Sequence, residues 1–136
     1  MGVSDIRVIP AAQCDNKLIN IKVAPKVLDT HPILKYRIEN IKQGIPVRGI
    51  RETDSRRCGL AMDDMAVMGG NHYPCIIYMR EGGAPIGPVG DGARQDRFTW
   101  SQSHNTHADP ICKKNCLDVC VAYNNRFREL NPLGGL

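Results

Sequence analysis

The stretch RRCGLAMDDMAVMGGNHYPC, residues 56–75, decides how the rest of the chain is read. Its two cysteines, Cys58 and Cys75, bracket an apolar run and a Gly-Gly turn. Met65 to Met68 reads as one strand, Gly69-Gly70-Asn71 as a tight turn, and Tyr73 to Met79 as the returning strand. Gly and Asn gather at such a turn because it requires positive φ, which a Cβ opposes. A hairpin of this kind brings its two ends, and with them both thiols, close together.

Downstream, CKKNCLDVC at 112–120 holds Cys112, Cys116 and Cys120. Asp109-Pro110 is a helix start, an N-cap followed by proline at the first helical position, and the helix is expected to run to about residue 130. On one continuous helix the three cysteines fall at i, i+4 and i+8, on a stripe that continues through Tyr123 and Phe127. The plain reading of that stripe is a buried face, since free cysteine behaves as a small hydrophobe. Two features favour ligation. Lys113, Lys114 and Asn115 surround the thiols, and basic neighbours favour the thiolate that binds metal. A pair of cysteines from the hairpin plus a pair from the helix also gives four thiolates, the number that a [4Fe–4S] cluster or a tetrahedral zinc requires. Arg56 and Arg57, beside Cys58, would offset the negative charge of that assembly. Cys14 lies outside the constellation and reads as structural. His104 and His107 offer imidazoles to a zinc, although the paired Cys-x2-Cys knuckles of zinc ribbons are absent.

The spacing Cys58, eleven residues, Gly70, four residues, Cys75 resembles the opening signature of the SPASM domain, Cys-x(9–15)-Gly-x4-Cys. SPASM and the shorter twitch domains extend radical S-adenosylmethionine enzymes at their C-terminus and hold auxiliary iron–sulfur clusters. The cysteine-rich tail of that family is similar to residues 112–120, so the likeness covers about residues 56 to 125. It implies one auxiliary [4Fe–4S] cluster held by four of Cys58, Cys75, Cys112, Cys116 and Cys120, since a full SPASM set has two more cysteines than this region. The radical S-adenosylmethionine motif itself, Cys-x3-Cys-x2-Cys, is missing. The resemblance therefore implies an auxiliary domain that works beside a separate radical S-adenosylmethionine core domain or subunit, positioning substrate or relaying electrons. Two further residues are candidates near this site. His72 could hydrogen-bond behind the Cys75 ligand or be an exposed turn histidine. Arg80 could hold a substrate carboxylate with its planar fork or pair with Glu81.

The remaining segments complete an expected α+β fold, short β-hairpins packed on two or three helices around a cysteine-ligated metal site. Residues 5–10 (DIRVIP) and 18–23 (LINIKV) read as strands. Asp29 or Thr30 is placed to cap a helix through HPILKYRIENIKQ that stops at Gly44. The Gly- and Pro-rich segment 81–92 is expected to hold neither helix nor strand, and ARQDRFTWSQSH reads as helix. The domain division expected is 1–54 for the N-terminal strands and helix, 55–130 for the cysteine-bearing domain, and 131–136 as a loose tail.

Bulk properties narrow the partners. The 18 Lys and Arg residues against 14 Asp and Glu leave a net charge of +4, scattered rather than clustered, which argues against nucleic acid. No apolar run approaches the ~20 residues of a membrane span, and the first residues are too polar for a secretory signal. A cytoplasmic protein is expected, where six cysteines are better explained as ligands, redox groups or buried thiols than as disulfides. Adjacent Asp63 and Asp64 would point to opposite faces of a strand, so they read as a polar lead-in. Neither a phosphate loop nor a Ser-His-Asp set is present. The alternatives from other classes are a structural zinc module that presents a surface to protein or nucleic acid, and a metal-free interaction domain with core cysteines.

Overall fold

In the computed structural model, which describes residues 21–132, helices and a three-stranded antiparallel sheet are mixed in an α+β arrangement. The strand expected at 5–10, half of that at 18–23, Cys14 and residues 133–136 lie outside the described residues, and the described half, 21–23, is not strand. Two units are separable, with the division between Arg48 and Gly49.

The first unit contains α1 (Pro25–Thr30) and α2 (Pro32–Lys42). Asp29 and Thr30 belong to the last turn of α1 rather than capping α2. Pro32 disfavours helical backbone at the residue before it, so the break falls at His31 (φ −129°, ψ 82°), which becomes the cap of α2. The Thr30 hydroxyl donates back to the carbonyls of Lys26 and Val27 at 3.1 Å. Leu34, Ile38 and Ile41 form the buried stripe of α2, and Gly44 at φ +71° ends the segment where expected.

In the second unit, β1 (Ala66–Met68) pairs with β2 (Asn71–Tyr73) in the register Ala66↔Tyr73 to Met68↔Asn71. Gly69 (φ +58°) and Gly70 (φ +78°) are both left-handed, as a two-residue hairpin loop of the primed type requires. Of the returning strand expected at residues 73–79, only Tyr73 is strand, and residues 76–79 are helical instead. Pro74 lacks the N–H that would extend the ladder, and the Cys75 sulfur accepts the Tyr78 N–H at 3.4 Å, starting α3 (Ile76–Arg80). The Gly- and Pro-rich loop does contain a strand, β3 (Gly87–Pro88), added to the free edge of β2. Ile86 N–H donates to the His72 carbonyl at 2.8 Å and Val89 N–H to the Gly70 carbonyl at 2.9 Å. Pro88 is tolerated because an edge position needs no donor there. Helix α4 (Ala93–Ser103) forms where its sequence indicates.

The expected single C-terminal helix is instead two, α5 (Pro110–Asn115) and α6 (Asp118–Leu130). Cys116 (ψ 129°) and Leu117 (ψ 150°) are extended between them. The terminal carbonyls of α5 are taken by a passing segment, Gly49 N–H to Cys116 at 2.8 Å and Ile50 N–H to Lys113 at 3.1 Å. A helix end that finds such donors need not continue. The three cysteines therefore do not share one helical stripe.

A 3-10 turn, Gly59–Met62, follows Cys58 and packs on α4 and α6. A Cβ at Gly59 would lie 2.5 Å from the Phe127 ring. Gly59→Ala is expected to destabilise the domain by about 1–3 kcal/mol through overpacking, read as a lower urea midpoint at unchanged slope.

Candidate metal centre

One partly enclosed cavity of about 30 Å³ is lined by Cys58, Cys75, Cys112, Cys116 and Cys120 together. Leu60, Pro74, Ile77, Ile111 and the rings of Tyr78 and Trp100 complete a nearly apolar wall. All five thiols are free and half-buried. The structure thus brings together the five cysteines singled out in the sequence, from four segments separated by up to 62 positions.

Each thiol is positioned by its own local device. Cys58 precedes the 3-10 turn and is clamped by α6. Asn124 accepts Leu60 N–H at 2.9 Å and donates to the Cys58 sulfur at 3.7 Å. Its neighbour Asn125 accepts Ser55 N–H at 2.7 Å and donates to Asp54 at 2.9 Å. Thr106 ties the same stretch to the loop before α5, its hydroxyl donating to Ser55 and its N–H to Arg56, each at 2.9 Å. Cys75 is fully extended (φ −159°, ψ 167°) at the N-terminus of α3. Cys112 sits in the first turn of α5, capped by Asp109, whose Oδ1 accepts Ile111 N–H at 2.8 Å and Cys112 N–H at 2.9 Å. Cys116 and Cys120 flank the extended break and the start of α6.

Electrostatics correct one expectation. Lys113 and Lys114 are exposed and do not favour the thiolates. Burial pushes the Cys58 thiol up to about 11 and raises Cys75 and Cys112 as well. The Cys116 thiol donates to Cys120, which raises Cys116 and lowers Cys120. Burial thus favours the protonated thiol at Cys58, Cys75 and Cys112, and a metal must displace those protons to bind.

The buried cation of the site is Arg97 on α4, which replaces the expected role of Arg56 and Arg57. It is 5% exposed. Its guanidinium donates to the carbonyls of Tyr73 at 2.9 Å, Pro74 at 3.3 Å, Ala61 and Asp64. These four acceptors belong to the segments that carry Cys58 and Cys75, and negative charge on either thiol stabilises the Arg97 cation. Arg56 is exposed, and Arg57 donates instead to the His104 carbonyl at 3.3 Å.

His72 is fully buried on β2 rather than exposed, and it does not line the cavity. Its Nδ1 lies 3.3 Å from Arg97, and its Nε2 has no hydrogen-bond partner. Burial lowers its pKa from 6.5, the Arg97 charge adds to this, and Asp96 opposes it. A depressed histidine disfavours the protonated fold, so the unfolded chain takes up the proton first. Its contribution is complete above about pH 6.5 and falls as pH drops below that value. His104, also depressed by burial, acts in the same direction. Apoprotein stability should therefore fall between about pH 7.5 and 5.5, and His72→Gln should flatten part of that slope in urea titrations at the two pH values.

Arg80 is exposed at the end of α3 and does not line the cavity. Asp63 accepts the Tyr123 hydroxyl, while Asp64 gives its carbonyl to Arg97 and its carboxylate charge stabilises the Arg97 cation. His107 Nε2–H donates to the Asp54 carbonyl, 3.1 Å away, and is committed there. His104 behaves differently. Its Nε2 is 3.5 Å from the Cys112 sulfur and 3.8 Å from Asp109 Oδ2. Among the described residues these three form the one group of metal-ligating side chains whose ligand atoms all fall within 4.8 Å of one another. Asp109 was legible in the sequence only as a helix cap, and Arg97, Asn124 and Asn125 carried no local signal.

None of the described helices is long and apolar enough to cross a membrane. Compared with protein-family models, with curated proteins and with solved structures, the chain matches none.

Proposed function

We propose that this chain is an iron–sulfur domain that holds one [4Fe–4S] cluster with four of Cys58, Cys75, Cys112, Cys116 and Cys120. The observation that carries the reading is the cavity itself: five thiols from four segments line one partly enclosed, largely apolar space. Thiolates are the donors that iron–sulfur clusters take. No three of the five sulfurs form a compact group among the described residues, whereas a tetrahedral zinc thiolate holds its sulfurs about 3.8 Å apart. A larger inorganic core suits that spread better.

The chain's own residues would do four things. Cys58 and Cys75 present sulfur from opposite ends of the hairpin segment, and Cys116 and Cys120 from either side of the α5–α6 break. Tyr78 N–H and the Asn124 amide donate to sulfur, which favours the thiolate form. Arg97 offsets the negative charge. Leu60, Ile77, Tyr78 and Trp100 exclude water. The cluster would supply a one-electron couple, its potential set by those hydrogen bonds and by burial.

The Cys58–Gly70–Cys75 spacing, with Gly70 in the left-handed turn that spacing would need, supports placing this domain beside a radical S-adenosylmethionine core, as a relay or substrate-positioning partner. Purified without oxygen, the chain should be brown, with iron and sulfide in equal amounts. A colourless chain whose only metal is one zinc in the thiol cavity would favour the structural zinc module instead.

A further inference from the structure

The geometry points to a second metal site, a mononuclear zinc-class centre formed by His104 Nε2, Asp109 Oδ2 and Cys112 Sγ, with its fourth position open. A tetrahedral zinc with bonds of ~2.0–2.3 Å keeps its nitrogen, oxygen and sulfur ligands about 3.3–3.8 Å apart. Two edges of this triangle are 3.5 Å, from His104 to Cys112, and 3.8 Å, from His104 to Asp109. The third is no more than 4.8 Å. A cation at the centre of that face would reach all three ligands with small side-chain adjustments.

The surroundings hold the three ligands in place. Trp100 stacks on the His104 ring at a centroid distance of 4.0 Å and 15° between planes. The Tyr78 hydroxyl donates to Asp109 Oδ2 at 3.0 Å, which leaves that oxygen a second lone pair for a metal. Asp109 Oδ1 is already committed to the N-terminus of α5, so the carboxylate cannot rotate away. On the outer side, Trp100, Ser103, Asn105, Ala108 and Pro110 border an open hollow of about 410 Å³, into which His104 and Asp109 also project. That hollow gives a water or a substrate donor access to the fourth position. Three protein ligands of mixed type with an open fourth position is the pattern of a zinc that acts as a Lewis acid.

Assigning Cys112 to this centre also leaves Cys58, Cys75, Cys116 and Cys120, four thiols, for the neighbouring cavity. This partition alone rests on the cluster reading; the site stands on its own geometry.

The test is metal analysis of the full chain purified without oxygen, followed by titration of a Cys58→Ala chain with Co(II) alone. One zinc per chain is expected beside the iron. Co(II) should give the visible bands of a tetrahedral site with thiolate-to-metal charge transfer. His104→Gln and Asp109→Asn should each weaken Co(II) binding at least ~10-fold while leaving the iron content unchanged. Asparagine remains a good helix N-cap, so Asp109→Asn retains the fold of α5. Cys58→Ala should lower the iron and leave zinc in place. Unchanged Co(II) affinity in both His104→Gln and Asp109→Asn, or no saturable Co(II) spectrum, would overturn the site. Loss of iron alone from every chain would bear on the cluster and not on this centre.

Discussion

Replacing Cys58 and Cys75 together with alanine is expected to lower the iron bound by the anaerobically purified chain at least ~10-fold and to remove its brown colour. These two thiols come from the segments that the fold positions most firmly. Cys58 is set by Asn124 and by the Asp54–Arg57 stretch that Asn125 and Thr106 hold. Cys75 is set by the end of β2 and the first turn of α3. With both removed, three thiols remain, and a four-thiolate cluster lacks a ligand whichever of them takes part. The same change costs the apoprotein little, because each truncation removes one sulfur from a wall that already borders a void. If the cysteines were packing alone, the order would reverse: a modest loss of stability and no iron to lose. Iron content and urea midpoint, measured on the same two samples, separate these cases.

Arg97→Leu is expected to be the most damaging single substitution outside the thiols, costing about 3–5 kcal/mol. Removing the guanidinium leaves the carbonyls of Ala61, Asp64, Tyr73 and Pro74 without that donor in a region where Ala61 and Pro74 are almost wholly buried. Arg97→Lys retains the charge but only three point donors, so it should lose less stability and retain part of the iron. The measurement is a denaturant titration of wild type and both variants, with iron determined on each. Equal stability of Arg97→Leu and wild type would show that these carbonyls find other partners.

The hairpin and its thiols were legible because turn chemistry is local: Gly69 and Gly70 supply left-handed backbone at one place, and Asn71 opens the returning strand. The convergence of five cysteines was legible in part, since a hairpin pair and a helical group can meet. The route by which they meet was not. The break between α5 and α6 is made by Gly49 and Ile50, some 65 positions from the carbonyls they capture, and nothing in CKKNCLDVC announces it. The same distance hid the cation. Arg56, Arg57, Lys113 and Lys114 are next to cysteines in sequence and turned elsewhere, while Arg97, in an ordinary helical setting of QDRF, reaches the site from across the domain. His72 looked exposed because it follows a turn, but β3 covers that edge. Strand β3 itself was hidden by the glycines and prolines around it.

Native mass spectrometry of the full chain, kept free of oxygen from cell lysis onward, tests the central claim most directly. The expected result is a folded species heavier than the polypeptide by one four-iron, four-sulfide unit and one zinc, with the iron and sulfide mass lost in Cys58→Ala/Cys75→Ala. A folded chain at its bare mass, or carrying zinc and no sulfide, would contradict it.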